Sequence, residues 1–442
     1  MTEEHTPVKA RFDLQGDLPD EERVLNARNT FVKEFGIANA SQLDACVRCG
    51  LCAEACHYYV ATGDAKYTPI HKLEPLKRAY RDEVGTFAPL RRWFGRAKPV
   101  DLAELEEWEE LIYDSCTMCG RCTQICPMGI DIASLVEEAR HGMYEAGLVP
   151  DRLAQIARNA ETRHSPFGSQ SDFIRTIHEI EKKFDVSLPL DKDRADYLLT
   201  LTPSELEDQQ DAIVAMKKIF DTAGLNWTLS SEAFEATNFG YLSGNLPLQR
   251  DLTRRIIDHA AQLGAKALIL PECGHAYGAA RWEAAEWYDG PVPVKVLHIV
   301  ELLDELIADG RIKLGKMGET GTFHYPCQQF RRGGLKDAPR RILAALGMDL
   351  IDMQPSGHFS YCCGGGGGVV SNERAAPLRA KVFAMKRREV EDTGAEHFVT
   401  SCGICALTFQ KGAQAAGWDR MPESLVVLVA ENIVEPTAQA NA

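Results

Sequence analysis

The sequence contains no long hydrophobic run. No stretch reaches the roughly 18 apolar residues that a membrane-spanning helix needs, and the most apolar segment, residues 425–430, predicts a short core element. The first 23 residues are polar and acidic, without the basic and apolar regions of an export signal. We therefore expect a cytoplasmic protein with no transmembrane segment of its own, which would reach the inner face of the cytoplasmic membrane only through a partner.

Basic residues are few relative to acidic ones. The 442 residues include 49 Lys and Arg against 64 Asp and Glu, which gives a formal net charge of −15. This excess of acid disfavours nucleic acid as the main partner. Hydrophobic residues make up 45% and charged residues 26% of the chain, so the composition excludes a disordered or collagen-like protein and allows about three domains.

Cysteine is plentiful but unevenly placed. Of the 14 cysteines, eight form two tight groups before residue 130, none lies between residues 127 and 272, and six lie from 273 to 405. A long chain without an export signal does not need a disulfide framework, and cytosolic thiols are kept reduced. We therefore expect these cysteines to bind metal.

The pattern of apolar residues divides the chain. Helical spacing before about residue 150 predicts a mostly α-helical domain over residues 1–160. A mixture of Ser, Pro, Gly and charge predicts a linker over 161–193 with one helical piece. From residue 194, short apolar runs alternate with helical stretches, which predicts α/β units with largely parallel strands. This order recurs after about 120 residues, so we expect a first half over 194–310, a second half over 311–430 and a tail over 431–442.

The two N-terminal groups share the spacing Cys-x2-Cys-x2-Cys-x3-Cys. In this spacing a short loop wraps three thiolates around one iron–sulfur cubane, and the fourth cysteine reaches the other cluster. We therefore assign one [4Fe-4S] cubane to Cys46, Cys49, Cys52 and Cys126, and a second to Cys116, Cys119, Cys122 and Cys56. Two structural zinc sites are the alternative, although zinc motifs usually pair two Cys-x2-Cys units across a gap.

Five further cysteines form a different pattern: Cys327, Cys362, Cys363, Cys402 and Cys405. Adjacent side chains on an extended strand point to opposite sides, so the Cys362–Cys363 pair needs a distorted backbone or an extended metal centre. The glycines at 364–368 permit positive φ and close approach of the backbone to a cluster. A flexible glycine linker beside unrelated cysteines is the alternative.

These motifs together resemble the catalytic iron–sulfur subunit of heterodisulfide reductases and its relatives in membrane electron-transport complexes, including the DsrK subunit linked to dissimilatory sulfur metabolism. The resemblance extends from about residue 40 to 425. It implies an α+β multidomain fold, in which an N-terminal α-helical ferredoxin-like domain precedes an α/β CCG-type domain built from two related halves. The first half keeps only Cys273 and has residues 238–245 in place of the Cys-Cys-Gly motif, so a second site of this type is not expected.

In that family the Cys-Cys-Gly motif binds a noncubane [4Fe-4S] cluster at which disulfides are cleaved or formed. The resemblance therefore implies this catalytic role for Cys327, Cys362, Cys363, Cys402 and Cys405. It implies an oxidoreductase that acts on sulfur groups, with a small-molecule or protein disulfide or thiol as substrate and a membrane cytochrome b-type or other redox subunit as partner. A pure electron-relay subunit of a quinone-linked respiratory complex is one alternative, and the iron–sulfur subunit of a glycolate or lactate oxidase is another.

Two basic segments are further candidates for binding. Residues 89–99 place basic side chains around Trp93 and Phe94, which suits a docking surface or a bilayer interface, unless the aromatic side chains pack on their own domain. Arg331 and Arg332 could hold an anionic substrate, but we expect a solvated start of a helix there. His275, His324 and His358 lie near the cysteines and are candidate proton donors.

Overall fold

The structure is a computed structural model that describes residues 18–34, 36–97 and 99–434. Residues 1–17 of the predicted first domain and 435–442 of the predicted tail lie outside the described residues. The N-terminal part is built of helices: α1 Asp20–Glu34, α2 Ile37–Ala45, α3 Leu51–Ala55, α4 His57–Thr62, α5 Pro69–Glu83, α6 Ala88–Trp93, α7 Leu102–Glu109, α8 Arg121–Ile125, α9 Ile132–Glu145, α10 Asp151–Arg163 and α11 Gln170–Phe184. A π-helical turn, Glu110–Asp114, extends α7.

The helical domain packs through the apolar faces that the sequence predicts. Leu105, Trp108 and Ile112 recur at helical spacing and are buried. Phe31 of α1 meets Trp108 edge to face, with ring centroids 5.7 Å apart. Because Gly142 of α9 has no side chain, this ring can lie directly against the α9 backbone.

Helix α11 lies within the segment for which the sequence predicts a linker. Its Phe173, Ile177 and Ile180 are fully buried in the core of the first half. Ser169 caps the helix, because its hydroxyl accepts a hydrogen bond from the Asp172 N–H while the Asp172 carboxylate accepts one from the Ser169 N–H. Much of residues 161–193 therefore packs as part of the α/β region.

The two halves of the α/β region have the same strand order. The first half contains β1 Tyr197–Leu199, α12 Pro203–Glu207, α13 Gln210–Thr222, β2 Trp227–Thr228, α14 Phe239–Ser243, α15 Leu246–Gln262, β3 Ala267–Leu270, α16 Gly274–Gly278, β4 Lys295–His298 and α17 Ile299–Ala308. The second half contains β5 Thr320–His324, α18 Ala338–Ala345, β6 Asp349–Leu350, α19 Ala376–Glu391, β7 His397–Thr400, α20 Gly403–Ala416, β8 Glu423–Ser424 and α21 Leu425–Glu431. The sheets run β2-β1-β3-β4 and β6-β5-β7-β8, and all their strand pairs are parallel. The predicted pair of related parallel units is confirmed.

The halves share one core and place matching residues at their strand ends. Helix α21 of the second half packs on α13 of the first. Cys273 after β3 and Cys402 after β7 each precede a helix with nearly the same backbone conformation, φ −129° and ψ 109° against φ −142° and ψ 114°. The equivalent ends of β1 and β5 each carry a proline, followed by Ser204 in the first half and Cys327 in the second.

Within the described ranges, no helix has the length and apolar character that a bilayer crossing needs.

Candidate metal centres

The first cavity lies near the surface of the helical domain. It is lined by the thiols that the sequence assigns to one cubane, namely Cys46, Cys49, Cys52 and Cys126. Burial and the nearby thiols of the other three raise the pKa of Cys52 to about 11. Thiolates placed so close together repel one another, so a cation bound among them would stabilise the arrangement.

The second cavity is more deeply buried. It is lined by the other predicted set, Cys56, Cys116, Cys119 and Cys122. Burial, reinforced by the other three thiols, raises the pKa of Cys122 well above its usual range. His57, in the place where the other motif has Pro127, is buried and also lines this cavity.

The two cysteine loops have the same backbone shape. Arg48 and Gly50 take φ values of 54° and 85° in the first loop, and Met118 and Gly120 take 52° and 72° in the second. These left-handed residues turn three successive cysteines toward one point. Helices α3 and α8 pack against each other, so the cysteine after each helix lies in the cavity of the other loop.

The five-cysteine site consists of Cys327, Cys362, Cys363, Cys402 and Cys405, and all five are buried. The Sγ atoms of Cys327 and Cys362 are 3.7 Å apart. Cys363 instead faces Cys405 and His324, whose candidate ligand atoms all lie within 4.8 Å of one another. Cys362 and Cys363 also interact with each other, and the site forms one continuous cluster with aromatic side chains.

The glycine run 364–368 holds the Cys-Cys segment between the domains. Gly364, Gly367 and Gly368 have φ values of 86°, 65° and 85°. A Cβ atom at Gly365 would overlap the Thr408 hydroxyl. The Tyr58 hydroxyl of the helical domain donates a hydrogen bond of 2.8 Å to the Gly364 carbonyl. The run is therefore a close-packed part of the site and not a flexible linker.

The second cavity and the five-cysteine site are in direct contact. The Thr117 hydroxyl lies 3.4 Å from the Cys362 Sγ, and the neighbouring Cys119 and Cys362 thiols shift each other's pKa, raising that of Cys119 and lowering that of Cys362. Cys119 belongs to the same buried cluster as Cys327 and Cys362. Centres held at these two places would be neighbours with no solvent layer between their ligands.

The arginines that the sequence marks as candidates for anion binding form hydrogen bonds or an ion pair within the protein. Arg331 is buried, and its Nε and Nη1 donate hydrogen bonds to the carbonyls of Cys119 and Ser360. Arg332 pairs with Asp131 at 3.2 Å. Neither arginine is the solvated helix start that the sequence favours. Burial lowers the pKa of His275 to about 4, so this histidine is neutral at physiological pH.

The corresponding site of the first half has a different chemistry. Residues 238–245 form α14 and its caps, and Phe239 and Tyr241 pack into the core of the helical domain. Cys273 supplies the thiol of this half. Burial raises the pKa of Glu205 to about 7 and those of Glu235 and Glu272 to about 8. Burial raises the pKa of Cys273, and the nearby Cys402, Glu205 and Glu235 raise it further, so this thiol has both a cysteine of the second half and carboxyl groups near it.

Sequence reasoning missed two buried cations beside the cysteines. Lys72 Nζ donates to the Cys56 Sγ at 3.5 Å and to the Ser115 carbonyl. Arg140 Nη2 donates to the Cys116 carbonyl at 3.0 Å. Both residues lie on the apolar faces of predicted helices. A charged residue on such a face is the sequence feature that could have pointed to them.

Comparison with known families defines the class of protein. Residues 42–130 match the 4Fe-4S dicluster domain family, and residues 321–410 match the cysteine-rich CCG domain family. The chain is therefore an iron–sulfur protein that joins a dicluster ferredoxin domain to a CCG domain.

Relatives that match more than four-fifths of this chain narrow the class further. The chain is 27% identical over 425 residues to a subunit of the dihydromethanophenazine:CoB–CoM heterodisulfide reductase of Methanosarcina barkeri, covering 90% of this chain and 96% of the relative. It is 27% identical to the Hdr-like menaquinol oxidoreductase iron-sulfur subunit of Archaeoglobus profundus, over 82% and 74% of the two chains. It is also 27% identical to the EtfAB:quinone oxidoreductase of Syntrophomonas wolfei, over 87% and 57%. These relatives and the two domains support the HdrD-like family of CCG-domain proteins and an iron–sulfur redox subunit of an oxidoreductase.

Proposed function

We propose that the chain makes or breaks a disulfide at the five-cysteine site, with electrons supplied or withdrawn through the two cavities of the helical domain. The observation that carries this proposal is the contact of Cys119 and Thr117 with Cys362. It joins the second cavity to a buried site that holds one thiol more than a four-coordinate metal needs.

We propose two [4Fe-4S] cubanes in the first and second cavities and a noncubane [4Fe-4S] cluster at the five-cysteine site. Four soft thiol donors converge in each cavity, and thiolates suit iron–sulfur clusters. The close-packed glycine run supports a fixed cluster at the third site, because its backbone is held by contacts from three parts of the chain.

Clusters of this kind accept and release single electrons, and two electrons with two protons convert one disulfide into two thiols. The chain's own residues bring the second cavity against the five-cysteine site and exclude water from it. His324 lies beside Cys363 and Cys405, and burial lowers its pKa well below the usual value. It can therefore act as a neutral hydrogen-bonding group beside the thiols.

The relatives support sulfur chemistry and a membrane-linked partner. Three of them are named as parts of a heterodisulfide reductase, and others are named for menaquinol or quinone. We propose a membrane-bound redox subunit as the partner of this chain. Its contact would be the α6 surface, which consists of Phe87, Leu90, Trp93, Phe94 and the arginines at 91, 92 and 96.

The α6 surface is exposed and apolar. Phe87, Trp93 and Phe94 are 69%, 78% and 60% exposed, so these side chains do not pack on their own domain. Arg96 is also exposed and adds positive charge in an otherwise acidic protein. Exposed aromatic side chains among arginines are typical of interface contacts. The α6 surface comes directly after helix α5 in the chain, and Leu73 and Lys77 of α5 line the first cavity.

A thiol-binding experiment tests the proposed catalytic site. We expect 2-mercaptoethanol, added to the oxidised and fully iron-loaded protein, to change the electron paramagnetic resonance spectrum of the third cluster. Cys363→Ser should abolish this change and leave the signals of the reduced cubanes intact, because their ligands belong to the helical domain. Cys273→Ser is the matched control, since it removes a buried thiol from the first half. A fully loaded wild-type protein that does not respond to thiol would instead be an electron relay.

A further inference from the structure

Three buried cations surround the second cavity. Lys72, Arg140 and Arg331 are each less than a tenth exposed. They come from α5, α9 and the π-helical turn Gln328–Arg332 after Cys327. Three separate parts of the chain therefore direct positive charge to one place.

Each cation contacts the second cysteine loop or its ligand set. Lys72 Nζ donates to the Cys56 Sγ at 3.5 Å and to the Ser115 carbonyl. Arg140 Nη2 donates to the Cys116 carbonyl at 3.0 Å. Arg331 Nε donates to the Cys119 carbonyl at 2.9 Å.

Apart from the Cys56 Sγ, the hydrogen-bond partners of the three cations are backbone carbonyls and the Ser360 hydroxyl. Arg140 also donates to the carbonyls of Ile112, Leu242 and Gly367, and no carboxylate of the described ranges forms an ion pair with Lys72, Arg140 or Arg331. Two of their buried N–H groups, Arg140 Nε and Arg331 Nη2, have no hydrogen-bond partner in the described part of the chain. Aromatic rings partly compensate two of these positive charges. The ring centroid of Tyr113 lies 4.6 Å from the guanidinium carbon of Arg140, and that of Tyr58 lies 5.4 Å from the Lys72 Nζ.

Two other buried charged groups are paired with opposite charges, whereas Arg121, which follows Gly120, is buried and donates to the carbonyls of Glu54, Ala55 and Phe359. Lys386 pairs with Glu389 in the second half, and Arg374 pairs with the buried Asp114. A buried charge without a counter-charge is strongly unfavourable. Three such charges around one cavity therefore indicate that the balancing negative charge comes from the contents of the cavity.

We infer that Lys72, Arg140 and Arg331 are the counter-charge of a cubane in the second cavity and raise its reduction potential. This inference rests on the proposed cubane. Four cysteine thiolates give such a cluster a net negative charge, which increases by one when the cluster is reduced. Nearby fixed positive charge favours the reduced state, since net charge and hydrogen bonds to sulfur set the potentials of these clusters.

The first cavity lacks an equivalent set of cations among the described residues. Arg48 beside it is paired with Glu74. Lys77 Nζ donates to the Cys46 carbonyl at 3.0 Å but is only partly buried, so solvent screens its charge. The three cations therefore act selectively on the second cubane, which lies next to the five-cysteine site.

Potentiometric titration of the holoprotein, followed by electron paramagnetic resonance, tests the inference. We expect Lys72→Met to lower the reduction equilibrium constant of the second cubane at least tenfold, which is 59 mV for one electron. The first cubane should keep its potential, and Lys72→Arg should restore most of that of the second. Lys77→Met is the matched control, because it removes a lysine beside the first cavity. The two cubane signals are assigned beforehand with Cys49→Ala.

Iron content separates failure of this inference from failure of the proposed function. Absence of iron from wild-type protein would remove the cubanes themselves. A loaded Lys72→Met protein whose second cubane has an unchanged potential, or whose two cubanes shift equally, would overturn the inference alone. If the Lys72→Met protein does not load the second cubane, the same titration is carried out on Arg331→Gln. We expect the reduction equilibrium constant of its second cubane to be lowered at least tenfold as well.

Discussion

At the scale of single residues, burial favours the protonated form of three carboxyl groups in the first half of the α/β region. Burial raises the pKa of Glu235 from 4.5 to about 8, although the Ser165 hydroxyl and the Thr237 N–H donate hydrogen bonds to it. Glu205 and Glu272 are raised for the same reason. The folded state therefore holds protons that the unfolded state releases above about pH 4.5. The stability that these groups contribute is complete below that pH and is lost as the pH rises through about 8.

We expect Glu235→Gln to weaken this loss of stability at alkaline pH. The amide is of similar size and cannot ionise, so the part of the decrease due to Glu235, on the order of a few kcal/mol, should disappear between pH 6 and pH 9. Anaerobic thermal unfolding at a series of pH values measures the effect. Glu396→Gln, at an exposed carboxylate, is the control, and equal slopes for wild type and Glu235→Gln would contradict the assignment.

For single residues, the sequence could predict only those positions that residue identity and spacing determine. The cysteine spacing predicts the two ligand sets, because a short loop leaves few ways to direct three thiols to one point. The four thiols of each set line one cavity, and their binding of iron stays a prediction. The positions of Lys72 and Arg331 were not predicted. Their roles depend on contacts with Ser115 and Cys119, which lie far away in the sequence.

At the scale of elements, the glycine run explains why the Cys-Cys segment keeps one conformation. Gly365 contacts Thr408 of α20 and Gly366 contacts His275 of the first half, with no room for a Cβ at either position. The chain can pass between these elements only as bare backbone.

We expect Gly365→Ala to destabilise the protein by about 2–3 kcal/mol, as overpacking does, and to lower iron binding at the five-cysteine site. Thermal unfolding and iron content measure the two effects. Adding Thr408→Ala should restore part of both, because it removes the atoms that the new methyl group meets. Gly278→Ala is the control, since a Cβ there meets nothing within 4 Å; equal losses in both alanine variants would refute the packing explanation.

The α6 surface gives a second prediction at this scale. Replacing Trp93 and Phe94 with serine should release the chain from the membrane fraction of its host and leave its iron content unchanged. The reason is that exposed apolar area at a contact contributes to binding when it is buried there. Fractionation followed by immunodetection measures the distribution. Trp282→Ser, at an exposed tryptophan far along the chain, is the control, and unchanged retention of the Trp93 and Phe94 variant would exclude this surface as the contact.

Most elements could be predicted from periodicity, and the exceptions have physical reasons. The helical character of the residues before about 150 could be predicted because the apolar faces of helices such as α7 and α9 are regular. Helix α11 was expected to be one helical piece of a linker, but its apolar residues pack against the first half. Packing across the sequence, which local composition does not encode, decides whether such a helix belongs to a domain.

At the scale of the whole molecule, three clusters require about twelve irons per chain, four for each [4Fe-4S] cluster. We expect anaerobically purified protein to contain that amount of iron and an equal amount of acid-labile sulfide, with negligible zinc. Protein metal analysis measures these contents. A value near eight irons would indicate that the five-cysteine site holds no cluster, and two zinc ions per chain would favour the zinc alternative for the helical domain.

The relation between the domains is the least predictable feature at this scale. The sequence indicated two α/β halves and a helical domain, and the repeated strand order agrees. The contact between Thr117 and Cys362 joins residues 245 positions apart. It depends on how Arg140 and Tyr58 bind the glycine run, and neither residue belongs to a recognisable motif.

The exchange of fourth cysteines between the loops has a consequence for maturation. Cys126 follows α8 but lies in the first cavity, and Cys56 follows α3 but lies in the second. With the proposed ligand sets, neither loop can close around its metal centre until the two helices have docked. Insertion at one cavity fixes the docked helices and so prepares the other. The helical domain would acquire its inorganic contents cooperatively, as a pair, and a chain carrying a single cubane would be a short-lived stage of assembly.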